Sequence, residues 1–259
     1  MIFLVIVAVV FLFLFIRQKT WKPLPWPPGA LRPPAYQGHR GYWKGGAQEN
    51  TMAAFRAAAE RGLQMFELDV RLCKGNVPVV FHDTDLKRIG HRNQNVLDLT
   101  ADELQNYVNA PTLESVLQAT DIPMLINIEL KTNRAWDGTL EKEVAALVRK
   151  YRAEKRVLFS SFNPLAIWRL KRIIPEVPRA LLASQEDEPE NKIYLKKLWL
   201  APYIGVNALH LDQNYWREKE VQAFLKRKIP VALWTVNDQK LAEKLLQAGA
   251  ISIISDTLL

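Results

Sequence analysis

The chain has 259 residues, 49% apolar and 24% charged, a globular balance that excludes a disordered or fibrous protein. A single cysteine, Cys73, excludes any intrachain disulfide. The net charge is +8, but residues 17–35 carry Arg17, Lys19, Lys22 and Arg32 with no acid, so half of the excess sits on one short stretch and the remainder is too dilute for a polyanion or nucleic-acid binder.

Met1–Ile16 is an unbroken apolar run, MIFLVIVAVVFLFLFI. As a helix it spans roughly 24 Å, a little short of the ~30 Å hydrocarbon core. Arg17 and Lys19 are placed to snorkel, and Trp21 and Trp26 suit a headgroup belt. A cleaved signal peptide is the rival reading, but the charged leader, shorter core and small-residue cleavage site are all missing. The run therefore reads as an N-terminal transmembrane helix, a single-pass membrane anchor over residues 1–16. Arg17, Lys19 and Lys22 follow it while no charged side chain precedes it, which biases the domain that follows to the cytoplasmic side. Six prolines between Pro23 and Pro34 make residues 17–34 a basic, extended tether.

From Ala35 to Leu259 short β-rich runs alternate with amphipathic helical stretches. The runs are Ala35–Gly38, Met65–Val70, Met124–Leu130, Val157–Ser161, Arg179–Ala183, Ala208–Asp212, Pro230–Trp234 and Ser252–Ser255. Helical patterns fall at Met52–Arg61, Leu140–Arg152, Leu165–Ile174, Lys219–Arg227 and Gln239–Ala248. Eight strands with intervening helices predict an α/β chain folded as one (β/α)8 TIM barrel. Val77–Phe81 also reads as a strand, but only Cys73–Asn76 separates it from the second strand. That is too short for a parallel crossover, so a β-hairpin after strand two is expected, carrying His82 back towards Glu67. Lys192–Trp199 has the pattern of an interfacial helix, and is expected as an outer helix with its apolar face inward.

In such a barrel the chemistry sits at the C-terminal ends of the strands. Those ends carry His39-Arg40, Glu67 and Asp69, Glu129 and Lys131, Trp234 and Asp256. Glu67/Asp69 and Glu129/Lys131 are i, i+2 pairs, so each pair shares a strand face. Carboxylates among hydrophobes are costly to bury without a positive partner. Glu67, Asp69 and Glu129 together suit a hard divalent cation, Mg²⁺ or Ca²⁺, whereas zinc would more naturally recruit histidine or cysteine. Arg40 and Lys131 beside them suit a phosphate. Asn50-Thr51 reads as a helix N-cap, and His91 and His210 read as ordinary loop and strand histidines.

His39-Arg40-Gly41, Glu49-Asn50-Thr51, Glu67-Leu68-Asp69-Val70 and Val79-Val80-Phe81-His82-Asp83, with Leu86 and Arg88, follow one another in the chain. Pro111-Thr112-Leu113, Glu129-Leu130-Lys131, Ser160-Ser161-Phe162 and Trp234-Thr235-Val236-Asn237 come after them. In this order they resemble the glycerophosphodiester phosphodiesterase family over residues 35–256. The resemblance implies metal-dependent hydrolysis of glycerophosphodiesters to an alcohol and glycerol 3-phosphate, by way of attack from the neighbouring glycerol hydroxyl. It implies metal ligands Glu67, Asp69 and Glu129, catalytic His39 and His82, phosphate contacts from Arg40 and Lys131, and Trp234 on the substrate side. His39 is assigned as base and His82 as acid, although the two roles are interchangeable at the level of sequence. Ile89–Gln94 departs from the family's Thr/Gly-rich stretch, and the connection from His82 to Pro111 is compact, which bears on pocket shape.

Three alternatives accompany this reading. Lysophospholipids would be the substrates of a lysophospholipase D-type reaction if the anchor places the barrel mouth near lipid. A non-catalytic phospholipid-binding barrel would lack some of the polar residues that are present here. A two-histidine barrel acting on phosphoinositides or sphingolipids does not match the Glu-Asn-Thr and Trp-Thr-Val-Asn motifs.

Overall fold

The computed structural model describes residues 2–132, 136–186, 191–217 and 219–257; Met1, the first residue of the expected anchor, lies outside them. Helix α1 covers Ile2–Thr20 and precedes strand β1 (Tyr36–Gly38). Then come α2 (Met52–Glu60), β2 (Met65–Leu72), β3 (Pro78–Val80), α3 (Lys87–Gly90), α4 (Ala101–Val108), α5 (Leu113–Gln118) and β4 (Leu125–Leu130). The alternation continues with α6 (Thr139–Lys150), β5 (Val157–Ser161), α7 (Pro164–Ile173), β6 (Arg179–Ala183), α8 (Ile193–Lys196) and α9 (Ala201–Ile204). β7 (Ala208–Asp212), α10 (Lys219–Lys226), β8 (Val231–Trp234), α11 (Gln239–Gln247) and β9 (Ser252–Ser255) complete the chain.

Strands β1, β2 and β4 through β9 pair in parallel, and β9 pairs with β1, so the sheet closes into an eight-stranded barrel. β3 is the expected hairpin partner: it runs antiparallel to β2, with Val70 opposite Val80. Phe81 N–H donates to the Asp69 carbonyl at 2.9 Å, which delivers His82 beside the second strand's acidic end. Capping side chains mark where the helices start. Thr51 accepts from Ala54 N–H, and Asn163 accepts from Leu165 N–H with Pro164 in the first helical turn.

The two-residue period of β2 sets the layers. Phe66, Leu68 and Val70 point outward into a core with Phe55, Leu113, Val144 and Phe159. Met65, Glu67 and Asp69 consequently face the barrel axis. A second outer core joins Leu209, Leu211, Val231 and Leu233 to Val221, Phe224 and Leu245. The hairpin has its own cluster of Val79, Phe81, Leu86, Leu104 and Val108, which supports the segment carrying His82.

Residues 21–34 differ from a spacer that holds the domain at a distance. Trp21 is buried edge-on to Phe224, with ring centroids 6.3 Å apart, and does not sit in a headgroup belt. Leu24 N–H donates to the Val206 carbonyl at 2.8 Å, and Asn207 Nδ2 donates to the Pro25 carbonyl at 2.8 Å. Leu31 enters the barrel floor with Met65, Leu158, Ala180 and Ala208. Proline composition describes backbone extension, but apolar burial by Trp21 and Leu31 decides where that backbone lies.

Among the described residues no helix is long and apolar enough to cross a membrane. The residues of the expected anchor form one helix, Ile2–Thr20, whose last turn is polar and tied to the barrel. Arg17 Nη2 donates to the Pro202 carbonyl at 3.1 Å and Gln18 Nε2 to the Leu198 carbonyl at 3.3 Å. Its side chains at Val5, Ile6, Val9 and Leu12 through Ile16 are exposed.

Lys192–Trp199 also departs from the expected inward-facing helix. Only α8 forms, because Leu198 adopts a left-handed conformation (φ 53°) that ends the turn and buries its own side chain. Ile193, Tyr194 and Trp199 are left facing out.

Candidate active site

His39 follows β1 and Asp256 follows β9, and these two strands are neighbours. His39 Nδ1 lies 2.8 Å from Asp256 Oδ1, so Nε2 is the ring nitrogen left for chemistry. Trp43 Nε1 and Asn237 Nδ2 donate to the same carboxylate at 3.1 and 3.0 Å. Burial pushes the Asp256 carboxyl up, but its bonds from His39, Asn237 and Trp43 hold it below the usual carboxylate range.

The loop after His39 is held close by Gly41 (φ 82°), where a Cβ would meet the Ala54 backbone at 2.8 Å. This close approach brings Arg40 over the end of β2. Arg40 N–H donates to Glu67 Oε2 at 3.0 Å, and its guanidinium meets Glu49 at 2.8 Å and Asp69 at 3.3 Å.

His82 is held in a similar way to His39. Its Nδ1 lies 2.7 Å from Asp83 Oδ1, and Arg71 Nε donates to its carbonyl at 2.7 Å. Arg88 binds Asp83 at 2.7 Å and grips both oxygens of Glu49 at 2.9 and 2.6 Å. Burial pulls the His82 imidazolium down to about 4; Lys131 and Arg40 add to this, while Asp69 and Asp83 oppose it.

Glu67 and Asp69 converge with Glu129, which stands opposite Asp69 in the β2–β4 register. One oxygen from each of the three lies within 4.8 Å of the others. Glu67 Oε1 is buried with no hydrogen-bond partner. Lys131 Nζ lies 3.1 Å from Asp69 and 2.5 Å from Glu129. Asn50 and Asp69 bond reciprocally, Asn50 Nδ2 donating at 2.7 Å and Asp69 N–H donating back at 3.1 Å. Burial pushes the Glu67 carboxyl well up, reinforced by Asp69 and Glu129. Burial also raises Glu129, whereas Lys131, His82 and Arg40 hold Asp69 far below the ordinary range against its burial. Crowded carboxylates with an orphaned inner oxygen and no histidine or cysteine among them fit a hard divalent cation.

These groups open onto one cavity of about 830 Å³ lined by His39, Arg40, Glu67, His82, Glu129, Lys131 and Trp234. Asp69 lies beneath its floor, 1% exposed. Trp234 meets Phe162 edge-on at 5.6 Å to form an aromatic wall. Arg40 and Lys131, expected as phosphate contacts, line the cavity and also bind the carboxylates, so they neutralise the cluster while facing the open space. All eight expected residues therefore assemble in one place.

Sequence reasoning missed four supports. Asp83 and Asp256 had only adjacency to a histidine or to a strand end to signal a role. Glu49 and Arg88 are 39 residues apart and join only in three dimensions. Thr51 does cap α2, but Asn50 (φ 57°) serves Asp69 instead of the helix. Its neighbour's capping pattern hid that role.

The model of the glycerophosphoryl diester phosphodiesterase family matches residues 38–259. This chain belongs to that family. A glycerophosphodiester phosphodiesterase of Bacillus altitudinis is 30% identical, the match covering 84% of this chain and 92% of the relative. A human lysophospholipase D is 26% identical over 84% of this chain and 82% of its own. A phosphodiesterase from Oleispira antarctica, solved with the product sn-glycerol-3-phosphate, is similar at a TM-score of 0.68 and 27% identity, covering 86% of this chain and 93% of that one. Membership makes the chain a phosphodiesterase of a divalent-metal-dependent family, and Glu67, Asp69 and Glu129 are the acidic cluster that fits such an ion.

Proposed function

We propose that this phosphodiesterase hydrolyses glycerophosphodiesters to an alcohol and glycerol 3-phosphate, with His39 and His82 as its proton carriers. One observation supports this most directly: both histidines have Nδ1 bound to an aspartate and line the cavity that also holds the acidic cluster. Glu67, Asp69 and Glu129 would hold Mg²⁺ or Ca²⁺ through oxygen ligands. Such an ion, when bound, supplies charge neutralisation at a phosphoryl oxygen. Arg40 and Lys131 orient the remaining phosphate oxygens.

His39 Nε2 takes the proton of the attacking hydroxyl, and Asp256 stabilises the imidazolium that results. His82 Nε2 gives a proton to the departing alkoxide, which leaves a cyclic phosphate. Water then opens the ring with the roles reversed, His82 taking the water's proton and His39 returning one to the glycerol oxygen, to give glycerol 3-phosphate. A product assay over a panel of phosphodiesters, run with and without chelator, tests the assignment. Glycerol 3-phosphate released only in the presence of Mg²⁺ or Ca²⁺ is the expected result, and chelator-resistant turnover would refute it.

We further propose that α1 attaches the enzyme to a membrane with the barrel on the cytoplasmic side. The exposed apolar side chains of α1 and the cations Arg17, Lys19 and Lys22 after it support this. Protease added to intact cells tests it: degradation of the barrel from outside would reverse the orientation. Lysophospholipids are a second substrate reading, favoured by that same exposed helix.

A further inference from the structure

The connection between β6 and β7 presents an unusual surface. Ile193, Tyr194, Trp199 and Tyr203 are 56%, 41%, 51% and 44% exposed, all within eleven residues of chain. Exposed apolar groups scattered singly need no explanation, but four in so short a stretch mark a contact surface. The connection also carries Lys192, Lys196 and Lys197, offset in sequence by Glu186, Asp187, Glu188 and Glu190, so it has no positive excess.

This surface is held outward by the fold. Leu198 is buried in its left-handed turn, and Tyr215 Oη donates to the Lys196 carbonyl at 2.6 Å. Two further features show what it faces. The apolar helix α1 is tied to this very segment, through Arg17 to Pro202 and Gln18 to Leu198. On its other side the segment reaches the active-site cavity, whose lining includes Asn191, Tyr194 and Leu195. Exposed aromatic and apolar side chains and an adjoining apolar helix together make the chemistry of a bilayer interface.

We propose that Ile193, Trp199 and Tyr203 form a docking face for the surface of a lipid bilayer. The face seats the cavity mouth at the bilayer, so that amphiphilic phosphodiesters enter along Tyr194 and Leu195. The entry of substrate, though not the docking itself, rests on the phosphodiesterase reading given above.

The test uses the full chain reconstituted in vesicles of phosphatidylcholine and phosphatidylglycerol, with lipids brominated on their acyl chains. Tryptophan quenching is compared between the wild type and Trp199→Phe. Loss of a quenched component in Trp199→Phe is expected; identical quenching in the two proteins would overturn the proposal. In Ile193→Ser/Trp199→Ser/Tyr203→Ser, hydrolysis of vesicle-embedded lysophosphatidylcholine should fall by about tenfold, equivalent to roughly 1.4 kcal/mol of barrel–membrane coupling. Turnover of soluble glycerophosphocholine should stay unchanged. An equal fall on both substrates, or loss of a dimer in the triple variant, would also overturn the proposal and point to a structural or self-association role. Absence of turnover on either substrate by the wild type would instead refute the phosphodiesterase reading, with the quenching comparison still deciding the docking face.

Discussion

His39 and Asp256 lie 217 residues apart in sequence, yet Nδ1 of one is 2.8 Å from Oδ1 of the other. Closure of β9 against β1 produces that contact, so the barrel's last strand orients the first strand's histidine. Asp256→Asn keeps the shape but offers a neutral partner that no longer stabilises an imidazolium. Turnover should drop roughly 10²–10⁴-fold with the melting temperature little changed. Steady-state kinetics beside thermal unfolding check this, and wild-type turnover would show that Asp256 has no positioning role.

Glu49 accepts from both Arg40 and Arg88, and so joins the carboxylate cluster to the His82–Asp83 pair. Burial pushes its carboxyl up, but the Arg88 and Arg40 bonds hold it below the ordinary range. Glu49→Ala removes a shared partner from two guanidiniums, leaving Arg40 with Asp69 and Arg88 with Asp83. It should destabilise the protein by about 1–3 kcal/mol and lower kcat together, as measured by denaturant unfolding and kinetics. Glu49→Gln should recover part of the stability because it can still accept from one arginine.

Glu67 has its folded-state pKa raised, first by burial and then by Asp69 and Glu129. A carboxyl of this kind binds more protons folded than unfolded, so without a cation its ionisation destabilises the fold progressively as pH rises above the ordinary carboxylate value. Glu67→Gln should therefore be more stable than wild type in chelator at neutral pH, and the gap should close towards pH 4. Calorimetry across that range reads the effect. The same variant, like Glu129→Ala, should be inactive and lack the metal-induced rise in melting temperature.

His210 sits inside the barrel on β7, with neither ring nitrogen hydrogen-bonded. Burial pulls its pKa down to about 3. The unfolded chain then binds more protons than the native one, so stability is full above the unfolded histidine value and is lost as pH falls from there towards about 3. His210→Gln should flatten this part of the acid-unfolding profile relative to wild type. An unchanged slope in urea melts across the range would show that the histidine is not buried in neutral form.

The catalytic end of the barrel was legible because its signals are local. Two-residue alternation in Phe66-Glu67-Leu68-Asp69-Val70 places both acids on the interior face, and the short turn after Leu72 forces the hairpin that returns His82. The arginine relay was not legible, since Glu49 and Arg88 are brought together only by tertiary packing. Likewise, hydropathy in Lys192–Trp199 suggested an inward face, but the single left-handed turn at Leu198 rotated Trp199 to the outside. Proline content said nothing of the contacts made by Trp21 and Leu31.

Leu31 sets where the enzyme can be cut. It corks the end of the barrel remote from the histidines, resting on Met65, Leu158, Ala180 and Ala208. A truncation that starts at Ala35 would leave this floor open to water and discard Trp21 as well. Such a fragment should aggregate or melt well below the intact chain, whereas one beginning at Trp21 should remain folded and keep its turnover on glycerophosphodiesters. Size-exclusion chromatography of the two truncations would decide the matter. These contacts predict a folding unit that begins at Trp21, fourteen residues before the point where β-strand periodicity starts.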